Sequence, residues 1–161
     1  MDKEDIRLMI GNVKFSARAV AVLEHNDKIL FQKRKTDANW ALPGGAIATL
    51  EQGSEVVLRE LEEETGESHC QVIRPLWFTE YFFKFDDIIN HQYILGYLVN
   101  APENSILYSK EEFDGIEEGK NIVYKWIDKK DIHTSNIKPE FLKKKLTKIK
   151  KRYEFIQEND I

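Results

Sequence analysis

The sequence predicts an α/β (α+β) fold in which a mixed β-sheet is sandwiched between helices. Strand-like segments, rich in β-branched and aromatic residues, lie on both sides of one strongly helical segment. A second helical segment closes the chain, so helices are available to cover the sheet. With 161 residues and 42% hydrophobic content, the chain can bury a core of its own. We therefore predict one domain over residues 1–161, with its core at about 13–135.

The N-terminal half supplies two strands, a glycine loop and a helix. Val13–Leu23 and Lys28–Lys33 alternate in polarity, and Asn26-Asp27 between them predicts a hairpin turn. The loop that follows contains Gly44-Gly45. Ser54–Thr65 consists of strong helix formers and ends before Gly66, a residue that favours a helix C-terminus.

The C-terminal half is predicted to hold more strands and the second helix. Gln71–Phe85 and Ile88–Val99 favour a second hairpin, and Lys120–Ile127 favours a late strand. Pro139–Ile156 predicts a terminal helix at about 139–156, because proline is tolerated in a first helical turn.

Composition excludes several classes of protein. A net charge of −4 argues against a nucleic-acid-coating protein, which needs a dominant basic surface. No apolar run is long enough to span a membrane, so no membrane partner is expected. Cys70 is the only cysteine, which excludes an internal disulfide framework and favours a cytoplasmic location.

The helix contains an unfavourable arrangement of charge. Glu60, Glu63 and Glu64 are spaced i, i+3, i+4, so their carboxylates lie side by side near the C-terminal end, where the helix dipole disfavours anions. A hard divalent cation such as Mg²⁺ would reverse that penalty, because it prefers oxygen ligands. The competing interpretation is a solvated acidic face, in which Arg59 and Glu63 form an ordinary surface pair.

The segment GAIATLEQGSEVVLRELEEETGE, residues 45–67, resembles the Nudix box of the Nudix hydrolases, with a MutT-like character. Gly45, Glu51, the run from Arg59 to Glu64 and Gly66 all occupy the box spacing. Three positions depart from the usual pattern: Ala48 and Leu50 stand in the loop, and Glu67 stands where an aliphatic residue is normal.

The resemblance implies a Mg²⁺- or Mn²⁺-dependent pyrophosphohydrolase that cleaves a nucleoside diphosphate linked to another group. It assigns metal binding to four positions, which are Gly44, Glu60, Glu63 and Glu64. Arg59 would orient a neighbouring glutamate such as Glu51. The general base would be a box glutamate or a glutamate on the loop Glu111–Gly119, with Glu117 and Glu118 as the candidates. Dimers are common in this family, so a homodimer is one expected assembly.

Substrate recognition is less specified by the sequence. Arg18 and Arg34, with Lys33, lie on strands that would border the cleft, and cations there would contact phosphate. Trp40 precedes the glycine loop, where it would either stack on a base or pack in the core. A small-molecule nucleotide is the expected substrate. The alternative function is a non-catalytic nucleotide-binding or regulatory module on the same fold, which the three departures favour.

Overall fold

The structure, a computed structural model, describes residues 2–161. Ten strands, two α-helices and two short 3₁₀ helices follow one another within that range. The strands are β1 (Arg7–Ile10), β2 (Val13–Val22), β3 (Glu24–His25), β4 (Lys28–Arg34), β5 (Gly44–Ala46), β6 (Gln71–Phe85), β7 (Ile88–Asn100), β8 (Glu112–Asp114), β9 (Ile122–Asp128) and β10 (Glu154–Asp160). The α-helices are α1 (Gly53–Thr65) and α2 (Leu142–Thr147), and the 3₁₀ helices are Ile106–Tyr108 and Lys129–Thr134.

The strands form two sheets. The six-stranded sheet has the order β1-β2-β7-β6-β10, with β5 also paired to β2, and the four-stranded sheet has the order β3-β4-β9-β8. In the larger sheet β2 runs parallel to β7 and β10 runs parallel to β6, whereas its other pairs are antiparallel. The sheet is therefore mixed, and the predicted fold class is confirmed.

The core consists of two clusters. Ala19, Val57 and Leu61 pack in the first cluster, which joins α1 to the strands. Phe31 and Leu146 pack in the second, which joins α2 and the Lys129–Thr134 turn to the sheets. Fully burying side chains of this size contributes roughly 1.5 to 3 kcal/mol each. Helices thus cover the strands from two sides, as the sequence predicts.

Local sequence fixes both ends of α1. The side chain of Glu55 accepts a hydrogen bond of 2.8 Å from the backbone N–H of Gln52, which satisfies a donor just before the first turn. Gly66 ends the helix at φ = 83°, a left-handed conformation that costs glycine little. The helix begins one residue earlier than predicted, at Gly53.

Both predicted hairpin turns are present. Asn26 and Asp27 have φ values of 51° and 60°, and Asp86 and Asp87 have 49° and 64°. Paired positive φ values match the twist of the flanking strands in a two-residue hairpin. The first turn joins β3 to β4, because β2 ends at Val22 and joins the other sheet.

The predicted terminal helix at 139–156 is wrong for most of its length. Only Leu142–Thr147 is α-helical, and Glu154–Asp160 instead pairs with Trp77–Phe83 of β6. Many lysines in this region repel one another within a helix, and the alternating end of the chain gains backbone hydrogen bonds along an open sheet edge. Strands β1, β5, β8 and β10 have no counterpart in the sequence-based prediction, since three of them are only three or four residues long.

Candidate active site

Two adjacent glycines bring β5 close to its neighbours. A Cβ atom on Gly44 would lie 2.1 Å from the backbone oxygen of Ala19, so this position allows β5 to pair tightly with β2. A Cβ atom on Gly45 would lie 2.5 Å from Oε1 of Glu60. Any larger residue would therefore displace the Glu60 carboxylate, and the glycine pair forms one wall around it.

A cleft of about 340 Å³ opens beside these glycines. Its basic lining residues are Arg7, Arg18, Lys33, Arg34 and Lys120. Its acidic lining residues are Asp5, Asp37, Glu60 and Glu64. None of the described residues that line the cleft is aromatic. The five basic side chains that line the cleft suit it to a small ligand with dense negative charge.

Glu60 and Glu64 form the acidic floor of the cleft. Both residues are buried on the face of α1 that looks towards β5 and β9. Burial, together with repulsion from Glu64, raises the pKa of Glu60 to about 7. Two buried carboxylates in contact are costly unless a cation neutralises them. The pair therefore has the chemistry of a hard-cation site.

Arg59 braces the acidic side chains from the other side of the helix. Its Nε donates to Oε1 of Glu51 at 2.7 Å, and its Nη1 contacts Glu60 at 3.1 Å and Glu63 at 3.3 Å. The bond to Glu51 and the surrounding carboxylates raise the pKa of Arg59. The predicted contact between Arg59 and Glu51 is confirmed, and so is the Arg59–Glu63 pair.

Tyr124 holds Glu64 in place, and sequence reasoning missed it. Its hydroxyl donates a hydrogen bond to Oε2 of Glu64. The ring is fully buried, and burial with the nearby charge of Glu64 raises the pKa of the tyrosine. The available signal was a tyrosine in the middle of the apolar strand IVYKWID, because a buried tyrosine hydroxyl needs a partner.

The remaining predicted acidic residues lie apart from the Glu60–Glu64 pair. Glu63 is exposed, with its carboxylate on Arg59. In the segment 115–121, here called the late loop, Glu117 is half-buried and pairs with Lys120, whereas Glu118 is exposed, and neither glutamate lines the cleft. Within residues 2–161 no three acidic, histidine or cysteine side chains converge closely enough to hold a metal ion by themselves.

The predicted cations enter the cleft, but Trp40 does not. Arg18 and Arg34 both line the cleft. Burial and the charge of Arg7 lower the pKa of Arg18, so an anion there would relieve an unfavourable environment. Trp40 packs beside the second core cluster, with the Lys33 ammonium 4.9 Å from its ring centroid. Its side chain lies on a separate groove with Lys125 and Asn136.

The three departures in the box leave the carboxylate pair intact. Leu50 has φ = 59° in a turn, which strains a branched side chain where glycine would not be strained. Glu67 is buried, and its Oε2 accepts a bond of 3.1 Å from the backbone N–H of His69. Ala48 is buried where the chain bridges to Asp5. All three positions lie outside the lining of the cleft.

A family model for the NUDIX domain matches residues 14–148. The chain belongs to the Nudix family. The match extends over most of the chain and confirms the resemblance that the box indicated. A Bacillus subtilis (strain 168) protein, provisionally named an 8-oxo-dGTP diphosphatase, is 45% identical over 47 residues. That match covers 29% of this chain and 32% of the relative, so the chain spans about a third of its length.

Solved Nudix structures share the fold. A NUDIX hydrolase from Nitrosomonas europaea has a TM-score of 0.65 at 14% identity, covering 90% of this chain and 79% of that one. A MutT protein from Bacillus halodurans has a TM-score of 0.60 at 17% identity, covering 88% and 89%. At this level of identity the likeness concerns architecture. Across residues 2–161, no helix combines the length and the apolar character that crossing a bilayer requires.

Proposed function

We propose that this chain is a divalent-cation-dependent pyrophosphohydrolase acting on a small nucleotide that carries a diphosphate. One observation carries the proposal: the buried Glu60–Glu64 carboxylate pair and the half-buried Arg18 side chain line the same cleft. A diphosphate with a bound cation is complementary to both, because its cation suits the carboxylates and its oxygens suit the guanidinium. Membership in the Nudix family supports the same reaction class.

The residues present fit a Mg²⁺ or Mn²⁺ ion. Glu60 and Glu64 offer buried oxygen donors whose mutual repulsion a cation would relieve, and Gly44, whose carbonyl we propose as a further donor, lines the same cleft. Glu63 would join them after its carboxylate leaves Arg59. When bound, such an ion neutralises phosphate charge and favours attack by water on phosphorus.

The protein's own residues supply positioning. Tyr124 and Arg59 fix the orientations of Glu64 and Glu60, so these carboxylates need little rearrangement before reaction. Arg18 and Arg34, which line the same cleft, would hold the phosphates. We propose Glu117 as the residue that accepts the proton of the attacking water, because it pairs with Lys120, which also contacts Glu64, whereas Glu118 is exposed.

The lining also bears on substrate choice. Because the described cleft residues include no aromatic ring, we propose that phosphate charge and polar groups dominate recognition over base stacking. The free, buried Cys70 is consistent with the cytoplasmic location that we propose. A homodimer is the assembly to test by light scattering.

A nucleotide panel tests the proposal. The purified chain is incubated with nucleoside triphosphates, 8-oxo-dGTP and nucleotide conjugates, with Mg²⁺ or Mn²⁺, and the products are identified by mass. We expect turnover with at least one compound, and a fall of at least about a thousandfold in Glu64→Gln and Glu60→Gln. Glu62→Gln, on the exposed face of the same helix, is the matched control.

Two results would contradict the proposal. Turnover that survives in both Glu60→Gln and Glu64→Gln would remove the carboxylate pair from the mechanism. Tight nucleotide binding without any product, under every divalent ion, would instead favour the non-catalytic module.

A further inference from the structure

Lys120 occupies a position in the cleft that neither the box nor the catalytic proposal explains. It lies in the late loop, two residues before β9 begins, and lines the cleft. Its Nζ lies 3.5 Å from Oε1 of Glu64 and 3.0 Å from Oε2 of Glu117. The ammonium therefore joins the floor carboxylate of helix α1 to the acidic residue of the late loop.

The two ends of the Glu64–Lys120 pair have different surroundings. The side chain of Glu64 is 5% exposed, whereas that of Lys120 is 43% exposed. The carboxylate is thus fixed, and its partner is a flexible side chain that can swing into solvent.

The late loop does not depend on Lys120 for its position. The backbone N–H of Ile116 donates to the carbonyl oxygen of Glu64 at 2.7 Å, and the N–H of Gly115 donates to that of Ile122 at 2.8 Å. These bonds fix the loop against α1 and β9 whether or not the ammonium is present. The Lys120 contacts therefore act mainly on charge and add little to the fold.

We propose that Lys120 is a built-in competitor of the divalent cation, an exchangeable counter-ion that must leave Glu64 before a divalent ion can use both Glu60 and Glu64. The inference rests on the proposed function, because it assigns those two carboxylates to the cation. The Lys120 ammonium neutralises Glu64 when neither divalent ion nor substrate is bound. When the ammonium leaves Glu64, it also releases Glu117. Cation binding and the freeing of the late-loop glutamate are thereby linked through one side chain.

The test measures Mn²⁺ affinity without nucleotide, by electron paramagnetic resonance of free Mn²⁺, in the full chain. We expect Lys120→Met to bind Mn²⁺ about five- to tenfold more tightly than wild type, because the competing charge is gone. Lys120→Arg keeps the charge and is expected to stay within about twofold of wild type. Lys35→Met is the matched control, since Lys35 pairs with Asp114 at 3.1 Å outside the cleft lining.

Each outcome decides the matter. Equal or weaker Mn²⁺ binding in Lys120→Met, with wild-type binding intact, overturns the competitor role and leaves the proposed function standing. A wild type that binds no Mn²⁺ overturns both. An equal gain in Mn²⁺ affinity in Lys35→Met would show that net charge alone sets the affinity, which also overturns the competitor role of Lys120. If Lys120→Met loses its cooperative melting transition, Lys120→Gln replaces it, with the same expected tightening.

Discussion

The two flanks of helix α1 neutralise glutamates in different ways. On one flank, Arg59 is part of the helix and contacts Glu51, Glu60 and Glu63 through directed hydrogen bonds. On the other, Lys120 comes from a loop and forms two ion pairs from a more exposed side chain. Planar guanidinium groups hold several carboxylates at fixed angles, whereas an ammonium is a flexible point charge. The difference separates a permanent brace from an exchangeable counter-ion.

Removing the brace should give the largest effect. Arg59→Met leaves the Glu51 carboxylate, whose side chain is 5% exposed, without its partner. Because the Arg59 side chain is itself 37% exposed, we expect a loss of about 2 kcal/mol in the free energy of unfolding, below the range for fully buried pairs. Thermal melts should show a lower Tm for Arg59→Met and a nearly unchanged Tm for Lys120→Met. Equal Tm shifts in Arg59→Met and Lys120→Met would contradict the distinction between a permanent brace and an exchangeable counter-ion.

Loosening the fixed carboxylate should give the next effect. Tyr124→Phe removes the hydroxyl that donates to Glu64 while keeping the buried ring. Outer partners of a cation ligand typically contribute ten- to a hundredfold in affinity, so we expect Mn²⁺ affinity to fall about tenfold. Tyr108→Phe serves as the control, because the Tyr108 hydroxyl has only a long contact of 3.5 Å with a backbone oxygen. Unchanged Mn²⁺ affinity in Tyr124→Phe would count against a fixed Glu64.

Salt should distinguish the two flanks further. The screening length shrinks from about 10 Å at 0.1 M salt to about 3 Å at 1 M. The ratio of Mn²⁺ affinities between Lys120→Met and wild type should therefore shrink severalfold towards one as KCl rises, while the Tm gap between Arg59→Met and wild type should persist. Calorimetric titrations and melts over a KCl series measure both. An affinity ratio independent of salt would contradict an electrostatic competitor.

The smallest effect, on the free energy of unfolding, is expected at Leu50 in the turn that precedes helix α1. Leu50 is 79% exposed and has φ = 59°, so Leu50→Gly relieves backbone strain without losing buried contacts. The left-handed conformation costs a branched residue more than glycine, partly offset by glycine's greater freedom in the unfolded chain. We expect a gain of about 0.5 kcal/mol in the free energy of unfolding, measured by urea denaturation. A loss of stability would show that Leu50 contributes contacts beyond those of the turn.

The box, α1 and the two hairpin turns were predictable because each has a local cause. Glutamate spacing, a terminal glycine and paired turn residues act within a few positions of the chain. The contact between Arg59 and Glu51 was predicted through the family resemblance and is confirmed.

What the sequence did not reveal depends on distant partners. Tyr124 meets Glu64 across 60 positions, and Lys120 meets it across a loop. The strand at Glu154–Asp160 forms because β6 leaves an edge open, a circumstance that a lysine-rich segment cannot signal by itself. The sequence left open whether Trp40 stacks on a base or packs in the core, and its side chain packs beside the second core cluster on a different groove.

The parallel pairing of β10 with β6 has a practical consequence for handling this protein. Trp77–Phe83, which contains five aromatic residues, is covered along one side only by the last strand. Clipping of the chain before Glu154 by a protease would leave that row of backbone donors and acceptors open to a neighbouring molecule. Recombinant samples that arrive shortened at this end should therefore precipitate on storage, and intact mass spectrometry before concentration would detect them.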